Sequence, residues 1–381
     1  MWKEWCQFYQ QEESTPRDQV PQCKIDIPNK RGVKKLGIIN LKHLVHDKNN
    51  VAQKEHEEIP CIPFKLGSLS VDTGNIIPLE KDWSKRFTVV TDYLSENIDQ
   101  IINFEGKEDD VYVVTMSKSG TTWMLETAWL VLNDFNFEEG STTLLMDRAP
   151  YLEHSQIAEN FIQICDTHKM LRELKSPRLI KTHLPTHLLP TDLWKKKSKV
   201  IYVARNFKDA LVSRYRFYNG MGMVSNPMSL EDFAELMMNN KTPYLPYWDH
   251  VLEFWELRKQ PNIFFTSYER MSKDLRSVIK ELCVFLNKPE PSESTLDKAQ
   301  EYLNFKNMKN SLAGKLHQEA MDKEKVLNCE RHTNKAVDFE FMRRGETGSS
   351  KDEMTDNLSR KLDQWAESYL QEAGVTVDEL Y

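Results

Sequence analysis

The segment most able to do chemistry runs Val113-Val114-Thr115-Met116-Ser117-Lys118-Ser119-Gly120-Thr121-Thr122-Trp123. An apolar run rich in β-branched residues enters a tight turn holding a glycine, a lysine and hydroxyl side chains, and a helical pattern follows. The backbone N–H groups of such a turn and of the next helix start form a cradle for an anion, and a lysine adds a point charge. A plain strand-to-helix turn accounts for the same residues taken alone. The Walker A pattern, Gly with four residues before Gly-Lys-Ser/Thr, is absent.

That turn needs a strand before it and a helix after it, and the surrounding sequence repeats the arrangement. Residues 111–116, 179–180, 200–203 and 263–266 read as short buried strands. Residues 123–132, 208–218 and 271–286 read as helices. Strands alternating with helices predict βαβ crossovers and a parallel sheet, an α/β fold. Val90, Tyr93, Leu94, Ile98, Ile101 and Ile102 recur with a period near 3.6, the mark of an amphipathic helix, and Met354, Leu358, Leu362 and Trp365 mark a last one. Between residues 60 and 86, short apolar pieces are split by Gly67, Gly74 and Pro78. Residues 1–60 are polar and charge-mixed, with only 36–45 capable of local order, and read as an extension that is loose or docks late. The expected division is therefore a polar N-terminal extension, 1–60, and one α/β domain, 61–381.

The 381 residues carry 51 Lys+Arg against 58 Asp+Glu, a net charge of −7. That balance argues against sequence-independent coating of nucleic acid, yet a few local cations suffice to hold a small anion. No apolar stretch approaches the length of a membrane-spanning helix, and the first residues lack the apolar core of a secretory signal. The six cysteines are scattered without a CxxC pair, neither a zinc site nor a disulfide framework, which suits a reducing cytoplasm. No metal-ligand spacing is apparent.

The whole string Lys118-Ser119-Gly120-Thr121-Thr122-Trp123 resembles the 5′-phosphosulfate loop of the cytosolic sulfotransferases. Three later segments carry the same resemblance in order. Arg178-Leu179-Ile180-Lys181-Thr182-His183-Leu184-Pro185 is similar to the family's catalytic-histidine segment. Ala204-Arg205-Asn206-Phe207-Lys208-Asp209, with Ser213 after it, is similar to the 3′-phosphate segment. Phe341-Met342-Arg343-Arg344-Gly345, with Gly348 after it, is similar to the C-terminal Arg-Lys-Gly loop. Together the four span about residues 108–372. The spacing from Glu126 to Phe137 is similar to that of invertebrate, including insect, members, among them retinol dehydratase-like enzymes.

The resemblance implies one P-loop-NTPase-like α/β domain with a central parallel sheet flanked by helices. It implies transfer of a sulfuryl group from 3′-phosphoadenosine 5′-phosphosulfate (PAPS), leaving PAP, to a hydroxyl of a small hydrophobic acceptor such as a phenol, sterol, retinoid or other alcohol. Lys118, Ser119, Gly120, Thr121 and Thr122 are then expected at the 5′ end of the donor. Arg205, Ser213, Arg343, Arg344 and Gly345 are expected at its 3′-phosphate, with Trp123, Tyr268 and Phe305 around the nucleotide. Arg344 stands where the family has Lys, which keeps the charge and changes the geometry. His183 is the implied general base, an imidazole with an ordinary pKa of about 6.5, and His187 does not fit the segment. For the other nine histidines a satisfied structural role is the default. Lys118 is expected at the leaving oxygen, assisted by Lys181, with Ser213 holding Lys118 away until an acceptor binds. Tyr151, Phe217 and His183 are expected at the acceptor, and 244–248 and 310–334 at the pocket rim and lid. Taken singly, each aromatic reads equally well as core.

Three departures from the family pattern carry expectations of their own. Ser117 replaces a proline, which should leave the turn looser. Gly348-Ser349-Ser350-Lys351 lacks the family's tryptophan, removing an anchor for that loop. In the usual dimer segment, mapped to Lys351, Thr355, Asp356 and Arg360, an apolar residue has become Asp and a Glu has become Arg, so a monomer or a non-standard dimer is expected. The alternatives on the same scaffold are a retinol dehydratase-like enzyme that eliminates a sulfated intermediate, and a catalytically weak PAPS- or PAP-binding homologue.

Overall fold

The structure is a computed structural model that describes residues 61–69, 74–157, 166–224, 228–332 and 339–381. The reading of residues 1–60, with local order at 36–45, lies outside the described residues. Among those described there are six strands: β1 (Ile62–Lys65), β2 (Phe87–Val90), β3 (Val111–Thr115), β4 (Leu179–Thr182), β5 (Lys199–Ala204) and β6 (Ile263–Ser267). β1 and β2 form an antiparallel pair, with Ile62 opposite Val90. The other four form a parallel sheet in the order β4-β3-β5-β6. Val111 stands opposite Leu179 on one side and Lys199 on the other, and Val200 stands opposite Ile263.

Strand alternation explains why helices must cover both faces of this sheet. All five residues of β3 are buried. Tyr112 and Val114 enter one core with Ile180, Val200 and Tyr202, while Val111 and Val113 enter a second with Leu179, Ile201 and Val203. Successive side chains point to opposite faces, so a strand apolar at every position needs cover on both. At the amino ends of the strands, the Arg178 guanidinium donates to both oxygens of Asp110 at 2.7 and 2.6 Å, and the Val111 N–H donates to the Arg178 carbonyl at 2.9 Å. Both side chains are almost fully buried. Breaking such a pair costs about 3–5 kcal/mol because the other charge stays behind.

Eight of the helices among the described residues matter most to the site. α1 (Asp92–Ile102) begins at Thr91, whose hydroxyl accepts from the Leu94 N–H at 3.2 Å, and buries Leu94, Ile98, Ile101 and Ile102. α2 (Thr121–Leu132) follows β3, and α3 (Phe207–Gly220) follows β5. α4 (Tyr247–Leu257) precedes β6. The helix expected over 271–286 is two, α5 (Tyr268–Lys273) and α6 (Leu275–Phe285). Asp274 divides them, and its carboxylate accepts from the Ser277 N–H at 3.1 Å, so one residue breaks the first helix and caps the second. The stretch expected as a polar lid is largely a helix, α7 (Leu312–His332). The last, α8 (Asp356–Ala373), is capped by Thr355 and closed by Gly374 at φ 62°. Met354 falls before that cap, so the predicted face starts at Leu358. Asp356, one of the two changed residues of the dimer segment, opens α8, where the helix dipole favours a carboxylate.

Sequence order reverses at β3, because the strands that follow it lie on opposite sides. In open parallel sheets the crevice beyond the carboxyl ends at such a point is where ligands bind. Among the described residues, no helix is long and apolar enough to cross a membrane, and no group of three or more His, Cys, Asp or Glu is placed to hold a metal ion.

Candidate functional site

The carboxyl ends of all four parallel strands carry residues singled out above. Beyond β3, Lys118 adopts φ 69° and Gly120 φ 95°. A Cβ on Gly120 would lie 2.6 Å from Cδ2 of Tyr268, so only glycine fits both the backbone and the space. The Ser119 N–H donates back to the Met116 carbonyl at 3.2 Å, and α2 then opens at Thr121. Ser117 does not loosen this turn. Its hydroxyl accepts from the guanidinium of Arg214, which is fully buried and also donates to Thr242 Oγ1 at 3.1 Å and the Pro243 carbonyl at 3.0 Å. A proline there could not receive Arg214.

Lys181 and Thr182 end β4, and His183 stands just beyond it. The His183 N–H donates to Glu153 Oε1 at 2.7 Å, and Nδ1 lies 2.8 Å from the Thr115 carbonyl oxygen. A carbonyl can only accept, so Nδ1 carries the hydrogen and Nε2 keeps its lone pair. Burial, reinforced by the Lys181 cation, holds the imidazole well below its usual pKa. The ring is therefore neutral at pH 6.5 and above. Tyr151 and Tyr244 flank it edge-on at 5.2 and 5.8 Å, and their hydroxyls meet at 2.7 Å. Tyr151 is placed by a backbone bridge to β4, in which the Leu152 N–H donates to the Lys181 carbonyl at 2.8 Å. His187 is fully buried against Thr88 Oγ1 at 2.9 Å and lines no part of the cavity described below.

Beyond β5, the Arg205 guanidinium donates to the Lys118 carbonyl at 2.9 Å and the Glu346 carbonyl at 3.3 Å. It lies 4.4 Å from the centre of the Tyr268 ring, the first residue beyond β6. The C-terminal loop closes over this group. Gly345 has φ 72°, and a Cβ there would lie 2.2 Å from Cδ2 of Phe305. The loop keeps an anchor without the tryptophan. Asp209 in α3 accepts from the Gly348 N–H at 2.6 Å and the Ser350 N–H at 2.9 Å. Arg343 and Arg344 pair with Glu353 and Asp352 at 2.9 and 3.0 Å. Partly exposed pairs of this kind contribute little, so these cations can turn to a bound anion at small cost.

One cavity of about 570 Å³ receives nearly all of these groups. Lys118, Gly120, Thr121, Thr122, Trp123, Tyr151, Lys181, His183, Arg205, Ser213, Phe217, Tyr268, Phe305, Arg343, Arg344 and Gly345 all line it. Ser119 is the exception. It is buried beneath the turn, and its hydroxyl has no partner among the described residues. Trp123 meets Tyr268 edge-on at 5.3 Å. Of the expected rim, Tyr244 lines the cavity, whereas Trp248 is fully buried in the core against Phe207.

The Lys118 ammonium does not rest on Ser213. It lies over Phe341 and Phe217, 3.9 and 4.7 Å from the ring centres. Burial first, then the cations of Arg205, Lys181 and Arg343, lower its pKa to about 7. A bound polyanion favours the charged amine, so binding should take up a proton. PAP affinity is therefore expected to fall as pH rises above about 7, and Lys118→Met should abolish that dependence. Calorimetric titration of PAP in buffers of different ionisation enthalpy checks this. An affinity independent of pH, with no proton taken up, would contradict it.

Several cavity residues were not singled out from the sequence. His154 Nε2 lies 2.9 Å from Glu324 Oε1 on α7; Glu153, which does not itself line the cavity, is a buried acid whose pKa burial raises to about 7. His317, Met321 and Glu324 line the cavity at i, i+4 and i+7 of α7. That spacing was the available signal, but a polar stretch without apolar periodicity reads as a loop. Gln318 ties α7 to the C-terminal loop. Its amide donates to the Phe339 carbonyl at 3.0 Å and accepts from the Phe341 N–H at 2.9 Å.

Comparison with known proteins follows the same geometry. The sulfotransferase domain family matches residues 108–374. Sulfotransferase 1E1 of Homo sapiens is 33% identical over 275 residues, 72% of this chain and 88% of that protein. Sulfotransferase 1A1 of Mus musculus is 35% identical over 274 residues, 71% of this chain and 88% of that protein. Among solved structures, retinol dehydratase in complex with androsterone and the inactive cofactor PAP superposes with a TM-score of 0.64 at 24% identity, covering 82% of this chain and 97% of that one. A mouse sulfotransferase complexed with PAP gives 0.57 at 23% identity, covering 77% and 94%. At these identities the structural likeness is one of fold. The family match and the curated relatives carry further: this chain belongs to the cytosolic sulfotransferase family and is a PAPS-dependent sulfotransferase.

Proposed function

We propose that the protein sulfates a hydroxyl of a small hydrophobic acceptor, with His183 as general base. The observation that carries this reading is the bond from His183 Nδ1 to the Thr115 carbonyl, which leaves Nε2 unprotonated on a ring lining the cavity. The donor fits the residues present. Ser119 Oγ, Trp123 Nε1 and Arg205 Nε are buried polar atoms without a partner among the described residues, and two positive-φ glycines let the Tyr268 and Phe305 rings pack directly against the loop backbones. When bound, PAPS supplies the sulfuryl group and leaves as PAP. Lys118 and the N–H groups at the start of α2 hold its 5′ end, while Arg205, Ser213, Arg343, Arg344 and the Gly345 N–H hold its 3′-phosphate.

In this reading Nε2 takes the proton of the acceptor hydroxyl as its oxygen forms the bond to sulfur. Lys118, assisted by Lys181, stabilises the charge that builds on the departing phosphate oxygen. Tyr151, Tyr244 and Phe217 form the apolar wall against which the acceptor is aligned. Incubating the protein with sulfur-labelled PAPS and a panel of phenols, sterols, retinoids and aliphatic alcohols tests the reading. Labelled sulfate esters are expected. Unlabelled products carrying a new carbon–carbon double bond would instead identify elimination, and absence of any turnover beside intact PAP binding would identify a nucleotide-binding homologue.

A further inference from the structure

Helix α7 brings one more polar group to the cavity, and nothing in the donor chemistry uses it. His317 is buried, and neither ring nitrogen has a hydrogen-bond partner among the described residues. Its ring meets Phe341 edge-on at 4.5 Å between centres. Its helical neighbours in the cavity are accounted for differently: Met321 is apolar, and Glu324 is engaged by His154. Burial, with the cations of Lys181 and Lys118 nearby, lowers the imidazole pKa to about 3, so the ring is neutral at any working pH.

A neutral imidazole offers one donor and one acceptor. Leaving both unmatched in a buried site is unfavourable, and the nearby cations oppose a second positive charge that would bind an anion. The complementary group is one that both donates and accepts, a hydroxyl. Tyr151, Phe217, Met221 and Met223 give the cavity an aromatic and thioether stretch of wall. A polar group left without a partner on such a wall selects among ligands by position.

We propose that His317 is a specificity-determining residue that hydrogen-bonds a second hydroxyl on the acceptor, so that favoured acceptors carry two hydroxyls separated by an apolar body. The inference rests on the reading that this cavity holds an acceptor beside His183. Recognition by the second hydroxyl does not require transfer, so binding and turnover can be measured apart.

The test uses the full chain saturated with PAP and a series of 4-alkylphenols with their ω-hydroxyalkyl counterparts of increasing chain length. Binding is followed by tryptophan fluorescence, and transfer by labelled PAPS. At one chain length the hydroxylated member should bind about tenfold more tightly, the effect of one matched buried hydrogen bond. His317→Leu should bring that ratio close to one, and His317→Gln, which keeps a donor and an acceptor, should restore part of it. Equal binding of the two members at every length would overturn the proposal and point to ordered water on the ring. Weaker PAP binding in His317→Leu with the hydroxyl preference intact would also overturn it, and assign the ring to the donor. If the preference appears in binding but no sulfate is transferred, the failure lies with the proposed chemistry and not with His317.

Discussion

His183→Ala is expected to lower kcat by about two to four orders of magnitude, the usual worth of a positioned general base. PAP affinity should change by no more than about threefold, because in the proposed reading the imidazole faces the acceptor and other residues meet the donor's anionic groups. Two features set the size of the effect. The Thr115 carbonyl fixes the tautomer, so every molecule presents Nε2 as a base. The depressed pKa keeps the ring unprotonated, so the acid limb of kcat/KM should lie below pH 6.5 and vanish in the variant. Steady-state turnover with labelled PAPS, beside calorimetry with PAP, checks both. A tenfold or greater loss of PAP affinity, with turnover falling no further than binding accounts for, would show that His183 holds the donor instead.

Arg205→Ala should have the opposite emphasis, weakening PAP binding by about a hundredfold. Loss of charge-assisted hydrogen bonds to phosphate accounts for one to two orders of magnitude. Loss of structure adds to it. Arg205 donates to the Lys118 and Glu346 carbonyls, so the same guanidinium joins the turn beyond β3 to the C-terminal loop. Arg205→Lys keeps the charge but not the fork, and should recover only part of the affinity. Calorimetric titration with PAP measures this, with a thermal melt to confirm folding. Unchanged affinity in Arg205→Ala would remove Arg205 from the 3′-phosphate site.

Much of this geometry was legible in the sequence because it rests on local rules. A buried strand, a positive-φ turn and a helix start declare themselves through β-branched runs, glycine and a change of period. The four parallel strands lie within a residue or two of the expected positions. The missed features depend on partners distant in sequence. Nothing around Ser117 announces that Arg214, 97 residues away, will donate to its hydroxyl. Nothing around Ser349 announces that Asp209 will hold the adjacent backbone. In both places, where a looser loop was expected, a residue distant in sequence holds it. The break at Asp274 was missed for another reason: apolar periodicity continues across it while the backbone turns. His317 was hidden by composition, since a helix with charges on most faces lacks the stripe that reveals one.

The bond pattern at Gln318 sets a rule for redesign. A designer seeking new acceptors would naturally exchange α7, which supplies His317 and Met321 while the reactive groups hang from the strand ends. Yet the amide at 318 serves the Phe339 carbonyl and the Phe341 N–H at once. A transplanted helix that retunes selectivity but omits a side chain with both a donor and an acceptor at that position would unseat Phe341, and with it the ring on which Lys118 lies. Grafts in this enzyme should therefore be chosen with residue 318 fixed and its neighbours free.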